Sequence, residues 1–180
     1  DHSHYDVGSF VFDALGKRWA HDLGKDDYNL YYKYNKWDVF RLRPESHNVL
    51  LVNPDKDPGY SLTDSGYITD YQSKDRGVIV KMEMGPNYDR SDVSKARRGF
   101  FLTDDRRSLV VRDEVSFPAQ SDAYWIMVTA ADVEIVDSHT VILTDSANKE
   151  KKVKVEWLSS SPGQGEVGPA QPFATSPQVP

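Results

Sequence analysis

Two histidines and two aspartates fall within the first six residues, "DHSHYD", and further imidazoles follow in "WAHDLG" and "RPESHNVLLVN". In a strand, residues two apart project to the same face, so His2 and His4 are expected side by side, with Ser3 and Tyr5 opposite. The run "GSFVFDALG" followed by "KRWAHDLG" reads as a hairpin turning near Gly16, which brings His21 and Asp22 back to the level of the His4 to Asp6 stretch. His47 stands where a polar loop enters an apolar strand, a place where a fold can hold a functional side chain rigidly. Together His4, Asp22 and His47 form a donor set of two imidazoles and one carboxylate, suited to zinc at roughly 2 Å with room for a water or a fourth group. The same histidines near strand ends can instead serve as hydrogen-bonded surface groups. A purification tag is excluded, because the histidines are not consecutive and the strand pattern runs through them.

The elements that must position these residues are strands. After the first hairpin come "HNVLLVN", "GVIVKMEM", "RGFFLTD", "SLVVRDEVSF", "YWIMVTAADVEIVD", "HTVILTD" and "KVKVEWL", each rich in β-branched or aromatic residues and closed by Asp, Asn, Gly or Pro. Short strands at that spacing predict an all-β fold, an antiparallel β-sandwich. "TDDRR" supplies turn chemistry for a second hairpin. Helix is scarce, and "RSDVSKARRG" is its best candidate, with a loop as the alternative. From about residue 159 the composition shifts to Ser, Pro, Gly and Gln, so the expected organisation is a sandwich over 1–158 and a tail or linker over 159–180.

Composition narrows the classes. The chain of 180 residues is about one domain by length. A formal net charge of −6 argues against generic binding to nucleic acid or anionic membranes, both of which need a concentrated positive field. The absence of cysteine leaves any metal to imidazole and carboxylate and removes disulfides from the argument. No apolar run approaches the roughly 18 residues of a membrane span.

The series "HSHYDVGSFVFDALGKRWAHDLG" and then "FRLRPESHNVLLVNP" resembles the heparinase II/III-like family of polysaccharide lyases, and "RRGFFLTDDRRSLVVRDEVSF" and "YWIMVTA" follow the family's rhythm further on. The resemblance implies the C-terminal β-sandwich of an enzyme whose preceding part is an α/α helical toroid, with the active-site cleft between the two. It implies that His2 is the catalytic histidine and that His4, Asp22 and His47 hold a structural zinc ion bracing the sandwich side of the site. The toroid would contribute a tyrosine and further polar groups. On this reading the chain is half of an active site, it begins at or just before a catalytic strand of a longer enzyme, and the isolated fragment has little activity.

The implied reaction is β-elimination on an acidic polysaccharide containing uronic acid, such as a heparan-type or alginate-like polymer, in the periplasm or outside the cell. It requires removal of the C5 proton, stabilisation of the enolate and departure of the C4 oxygen. Imidazole, with a pKa near neutrality, can serve as base or acid, which suits His2. Metal at His4 would fix the strand and favour a neutral His2. The competing reading is a non-catalytic carbohydrate-binding or structural β-sandwich module, which has no need of a histidine beside a metal.

Several other residues carry two readings each. Arg41 and Arg43 in "FRLRPE" could hold a substrate carboxylate or sulfate, or could be solvent-facing strand arginines. The tyrosines of "DDYNLYYKYNKW" could stack on sugars or cover the sandwich edge. "ARRGFF", "DDRRSLVVR" and the lysines of 149–154 could meet a polyanion or form solvated faces. Asn48 reads as a partner of the ligand shell or as a strand-start hydrogen bond.

Overall fold

The computed structural model describes residues 3–54, 60–61, 65–75, 77–88 and 92–179. The β1–β2 hairpin pairs Phe12–Ala14 with Lys17–Ala20, antiparallel, with Phe12 opposite Ala20. Its two turn residues, Leu15 and Gly16, both take positive φ (56° and 73°), the type I′ geometry that matches strand twist. A short helix α1 (Tyr28–Lys33) is capped by the Asp27 carboxylate, which accepts from Asn29 N–H. Three single 3-10 turns follow at Lys36–Asp38, Phe40–Leu42 and Pro44–Ser46. Arg43, directly before Pro44, is held extended (φ −82°, ψ 152°), so the chain kinks between turns and cannot run on as a helix.

Strand β3 (Leu50–Val52) pairs with β8 (Ala123–Trp125) in a two-stranded ribbon. Strands β4 (Tyr67–Lys74), β5 (Gly77–Glu83), β6 (Lys95–Thr103) and β7 (Leu109–Ser116) form a four-stranded antiparallel meander. Strands β9 (Asp132–Asp137), β10 (Thr140–Thr144) and β11 (Lys152–Glu156) form a three-stranded antiparallel sheet with β10 at its centre. The expected antiparallel β-sandwich class is therefore what the structure shows.

Period-2 alternation decides which face of each strand is buried. On β6, Ala96 and Arg98 turn inward while Arg97 and Phe101 face out. The core joins Leu51 and Val52 of the ribbon to Ala96 of the meander, with Tyr5, Tyr60, Met84 and Tyr88 between. Phe10 extends this packing, its ring 5.6 Å from Phe100 and 6.2 Å from Trp125. Burying a large apolar side chain contributes about 1.5–3 kcal/mol, so this seam is what holds the two layers together.

Four local expectations change. Among the described residues, β1 begins only at Phe12, and 3–11 form no strand. A turn at Val7 and Gly8, with Gly8 at φ 83° and Ser9 N–H bonded to Asp6 C=O, breaks the extended run. His4 is thus not on a strand, and His2 lies outside the described residues. Helix α1 forms at Tyr28–Lys33, where the sequence pattern singled out no helix. Arg41 lies on a 3-10 turn and Arg43 between two of them, not on a strand, and "KARRG" belongs to strand β6, not to a helix.

The segment 159–179 lies back on the body. Phe173 packs against the core cluster and stands 5.6 Å from the Tyr124 ring, Ser176 is buried, and Val179 bridges Val39 in parallel. No helix among the described residues is long and apolar enough to cross a membrane.

Candidate functional site

Residues 42–50, "LRPESHNVL", are buried without interruption, although five of the nine carry polar or charged side chains. Burying so many polar groups is costly unless each finds a partner. Arg43 Nε donates to Glu45 at 2.8 Å, and Ser46 Oγ donates to Arg43 C=O at 2.9 Å. Asn48 bonds three separate segments. Its Nδ2 donates to Phe10 C=O (2.6 Å) and to His21 C=O (2.8 Å), while its Oδ1 accepts from Val128 N–H (2.7 Å). Its backbone carbonyl in turn accepts from Arg98 Nη1 at 2.8 Å, and the same nitrogen donates to Gly8 C=O at 2.7 Å. Arg98 completes its fork by donating to both Asp113 oxygens, at 2.7 and 2.8 Å. Asn48 and Arg98 therefore tie the N-terminal segment, the end of β2 and the His47 loop into one rigid unit.

His47 sits inside that unit, fully buried, at the C-cap of the last 3-10 turn. Its Nδ1–H donates to Asp22 Oδ2 at 2.7 Å. Asp22 is 31% exposed, and its other oxygen accepts from Gly24 N–H at 2.7 Å. The His47 hydrogen bond, offset in part by burial and reinforced by Gly24, holds the Asp22 carboxyl down at about 2. An ionised carboxylate can only accept, so Nδ1 carries the proton, and it is Nε2 that bears the lone pair in the neutral form of the ring. That nitrogen is buried and has no hydrogen-bond partner among the described residues. The His4 ring lies beside it, 5.2 Å between centroids and tilted by 44°. Burial, then the charges of His47 and Lys36, hold His4 below the ordinary imidazole value, against the pull of Asp6 and Asp22.

The structure thus brings three of the sequence candidates together: His4 beside His47, and His47 against Asp22. It does not converge them on one point, and among the described residues no three His, Cys, Asp or Glu side chains meet as a metal centre. Two imidazoles and a carboxylate are donor types that zinc takes, and His47 Nε2 has no partner among the described residues, although as placed Asp22 Oδ2 is engaged by His47 Nδ1. Arg43 is buried among Glu45 and Ser176 Oγ. Arg41 donates to the carbonyls of Leu23 and Lys25 and faces Asp26 at 3.5 Å, so it fastens the 23–26 loop. Sequence reasoning missed Arg98 as a positioning residue. An arginine opposite an acid on the neighbouring strand does not single it out, since Arg97 faces Glu114 just as Arg98 faces Asp113.

The fold that carries these residues has counterparts among known proteins. The heparinase II/III-like, C-terminal family matches residues 1–175, and the chain belongs to that family. Two crystal structures share the fold: heparan sulfate lyase HepC from Pedobacter heparinus (TM-score 0.66, 13% identity) and a mutant of the same enzyme (TM-score 0.66, 12% identity). Each alignment covers 89% of this chain and 24% of the lyase, so the chain spans about a quarter of those proteins' length. No curated protein matches the chain.

Proposed function

We propose that this chain is the β-sandwich portion of a polysaccharide lyase that cleaves uronic-acid-containing polysaccharide by β-elimination, acting in the periplasm or outside the cell. The observation that carries the reading is the buried His47 with Asp22 on one nitrogen, the other unpartnered among the described residues, and His4 alongside. A purely structural sandwich gains nothing from a buried imidazole nitrogen that no described group satisfies, since leaving such an atom unmet costs about 1–3 kcal/mol.

Zinc is the proposed metal, with His4, Asp22 and His47 as the residues that hold it. When bound it would supply fixed positive charge and rigidity to the segment that leads back from His4 to His2. The protein's own groups do the rest. Asn48 and Arg98 lock the Gly8 to Phe10 stretch, which fixes the start of the chain against the His47 loop. Tyr5 N–H, bonded to Leu42 C=O at 2.9 Å, pins the residue next to His4. His2 is proposed as the group that moves the proton, as base at C5 or acid at the C4 oxygen, because neutral imidazole and imidazolium are both accessible near neutral pH. A companion N-terminal domain of the same enzyme would complete the cleft.

Joined to such a domain, the chain should convert a uronate polymer to a 4,5-unsaturated product, read as ultraviolet absorbance from the new conjugated double bond. Reducing-end formation without that absorbance would mean hydrolysis and would overturn the proposal.

A further inference from the structure

The two larger sheets end in four open edges among the described residues, β4 and β7 of the meander and β9 and β11 of the three-stranded sheet. An open edge presents unpaired N–H and C=O groups, and folds guard such edges with charge, proline or brevity. Three of the four are guarded by charge. β7 carries Arg112, Asp113 and Glu114 in succession, β9 carries three carboxylates in six residues, and β11 two lysines in five. β4 differs. Over eight residues, "YITDYQSK", it has one acid and one base, and Tyr67, Ile68 and Tyr71 are 57%, 64% and 65% exposed. A bulge interrupts it between Ile68 and Asp70, where the Thr69 hydroxyl donates back to Lys81 C=O, and from there the strand runs regularly to Lys74.

Hydrogen-bond parity fixes which groups face the open edge. Met84 N–H bonds to Ala96 C=O at 2.9 Å, and Thr103 N–H turns the other way, to Ser108 C=O at 3.0 Å. Even-numbered residues of β5 therefore bond to β6, and odd-numbered ones, Ile79 among them, bond to β4. Ile79 stands opposite Gln72, so Gln72 and Lys74 direct their backbone groups to β5, while those of Tyr71 and Ser73 point outward. Side-chain faces follow from the same alternation. Tyr71 lies in line with Val80 and Phe100 on the face that buries Arg98, and Asp70, Gln72 and Lys74 lie on the other face.

We propose that β4 is a self-association edge, on which a second copy of this chain lays its own β4 antiparallel about a two-fold axis through Gln72. The two meanders then form one eight-stranded sheet. Tyr71 exchanges both backbone hydrogen bonds with Ser73 of the partner subunit, and Ser73 does the same with Tyr71 of the partner subunit. The edge is complementary to itself, which is why the occupant is a second copy and not an unrelated strand. Asp70 faces Lys74 of the partner subunit on one side of the axis, and Lys74 faces Asp70 of the partner subunit on the other. The two Tyr71 side chains flank the axis on the apolar face, at the diagonal spacing that aromatic rings can bridge. Such an isologous pairing closes at two copies. Asp70 already meets Lys81 at 3.1 Å in solvent, so the cross-axis charges set register more than strength. Nothing in this pairing depends on the lyase reading.

The 180-residue chain is followed by sedimentation velocity and amide hydrogen exchange from about 10 µM to 1 mM. A monomer–dimer equilibrium is expected, weak because an edge pairing of this length falls at the low end of specific interfaces. As dimer forms, exchange at the Tyr71 and Ser73 amides should slow about tenfold or more, while Gln72 and Lys74, bonded to β5, change little. Ser73→Pro deletes an outward N–H that no bond among the described residues uses. It should keep the melting temperature within a few degrees and raise the dimer dissociation constant about tenfold or more. Charge reversal tests the register. Asp70→Lys and Lys74→Glu should each weaken self-association about tenfold, because each sets like charges across the axis. An equimolar mixture of the two variants should recover most of the wild-type affinity as a heterodimer, since both cross-axis pairs are again opposite in sign. A chain that stays monomeric throughout the range, a dimer unmoved by Ser73→Pro, protection confined to other strands, or a mixture no tighter than either variant alone would overturn the proposal.

Discussion

Replacing Asn48 by Ala removes no catalytic atom, yet it should loosen the whole site. The side chain makes three hydrogen bonds of 2.6–2.8 Å to Phe10, His21 and Val128, and the residue is fully buried. Each bond is worth about 1 kcal/mol net, and each partner left unsatisfied in the interior costs about 1–3 kcal/mol. Phe10, His21 and Val128 are themselves only half-buried, so water can reach part of what is exposed and the lower end applies. The sum is about 3–5 kcal/mol, which for a chain of this size lowers the melting temperature by roughly 10–15 °C. Urea unfolding should show the midpoint falling with the slope unchanged. Asn48→Asp separates this account from simple cavity formation. It keeps the volume and the acceptor toward Val128 but turns an oxygen toward the Phe10 and His21 carbonyls, so it should be at least as harmful as Ala. A stable Asn48→Asp variant, or an Asn48→Ala variant within about 1 kcal/mol of wild type, would refute the idea that Asn48 fastens the three segments.

Arg98→Met should cost about 3–5 kcal/mol, because it strands Asp113 as well as the Gly8 and Asn48 carbonyls; adding Asp113→Leu should restore a large part of that loss in denaturant midpoints. Alkaline pH should destabilise the fold through Tyr88, whose hydroxyl is bonded to Leu50 C=O and pushed up to about 12 by burial. Below about pH 10 both states hold the proton; between about pH 10 and 12 the unfolded chain releases it first, so about 2.7 kcal/mol of stability is lost, and Tyr88→Phe should flatten that limb of the pH profile. Protein purified without chelators should carry about one zinc per chain by elemental analysis, lose it in His47→Ala, and bind it more weakly as pH falls, since protons compete with the metal for its ligand atoms. In Asp22→Asn, a fall of about 10–100-fold in zinc affinity would mark Asp22 as the group that orients His47, whereas complete loss would mark it as a ligand.

The parts of this molecule legible in its sequence were those set by local rules. Gly16 after an alternating run, and "TDDRR" between two β-branched runs, specify hairpin turns by backbone chemistry alone, and both hairpins form. Folding the chain back at Gly16 anticipated Asp22 near His4, on whose imidazole its charge acts, but not its bond to His47. What stayed hidden depends on which face of an element is buried. In "RRGFF" the two arginines and the two phenylalanines are each adjacent, so a strand places one of each kind inside whichever register it adopts, and sequence cannot tell Arg98 from Arg97. The burial of 42–50 was equally hidden, because its polar side chains are satisfied by Phe10, His21, Val128 and Arg98, partners remote in sequence. His4 left its expected strand because Gly8 takes a positive φ just ahead of β1, and an isolated glycine in an alternating pattern does not announce which conformation it will use.

The most direct test of the lyase proposal compares two variants of the complete enzyme on a uronate polymer while tracking bound zinc. His2→Ala should lose about a hundredfold or more in formation of the 4,5-unsaturated product yet keep its zinc and its melting temperature, the behaviour of a group that moves a proton. His4→Ala should lose zinc, thermal stability and activity together, since its role is to brace the segment that carries His2. An enzyme that forms the unsaturated product at full rate with His2 replaced would contradict the account and leave this domain as a carbohydrate-binding module.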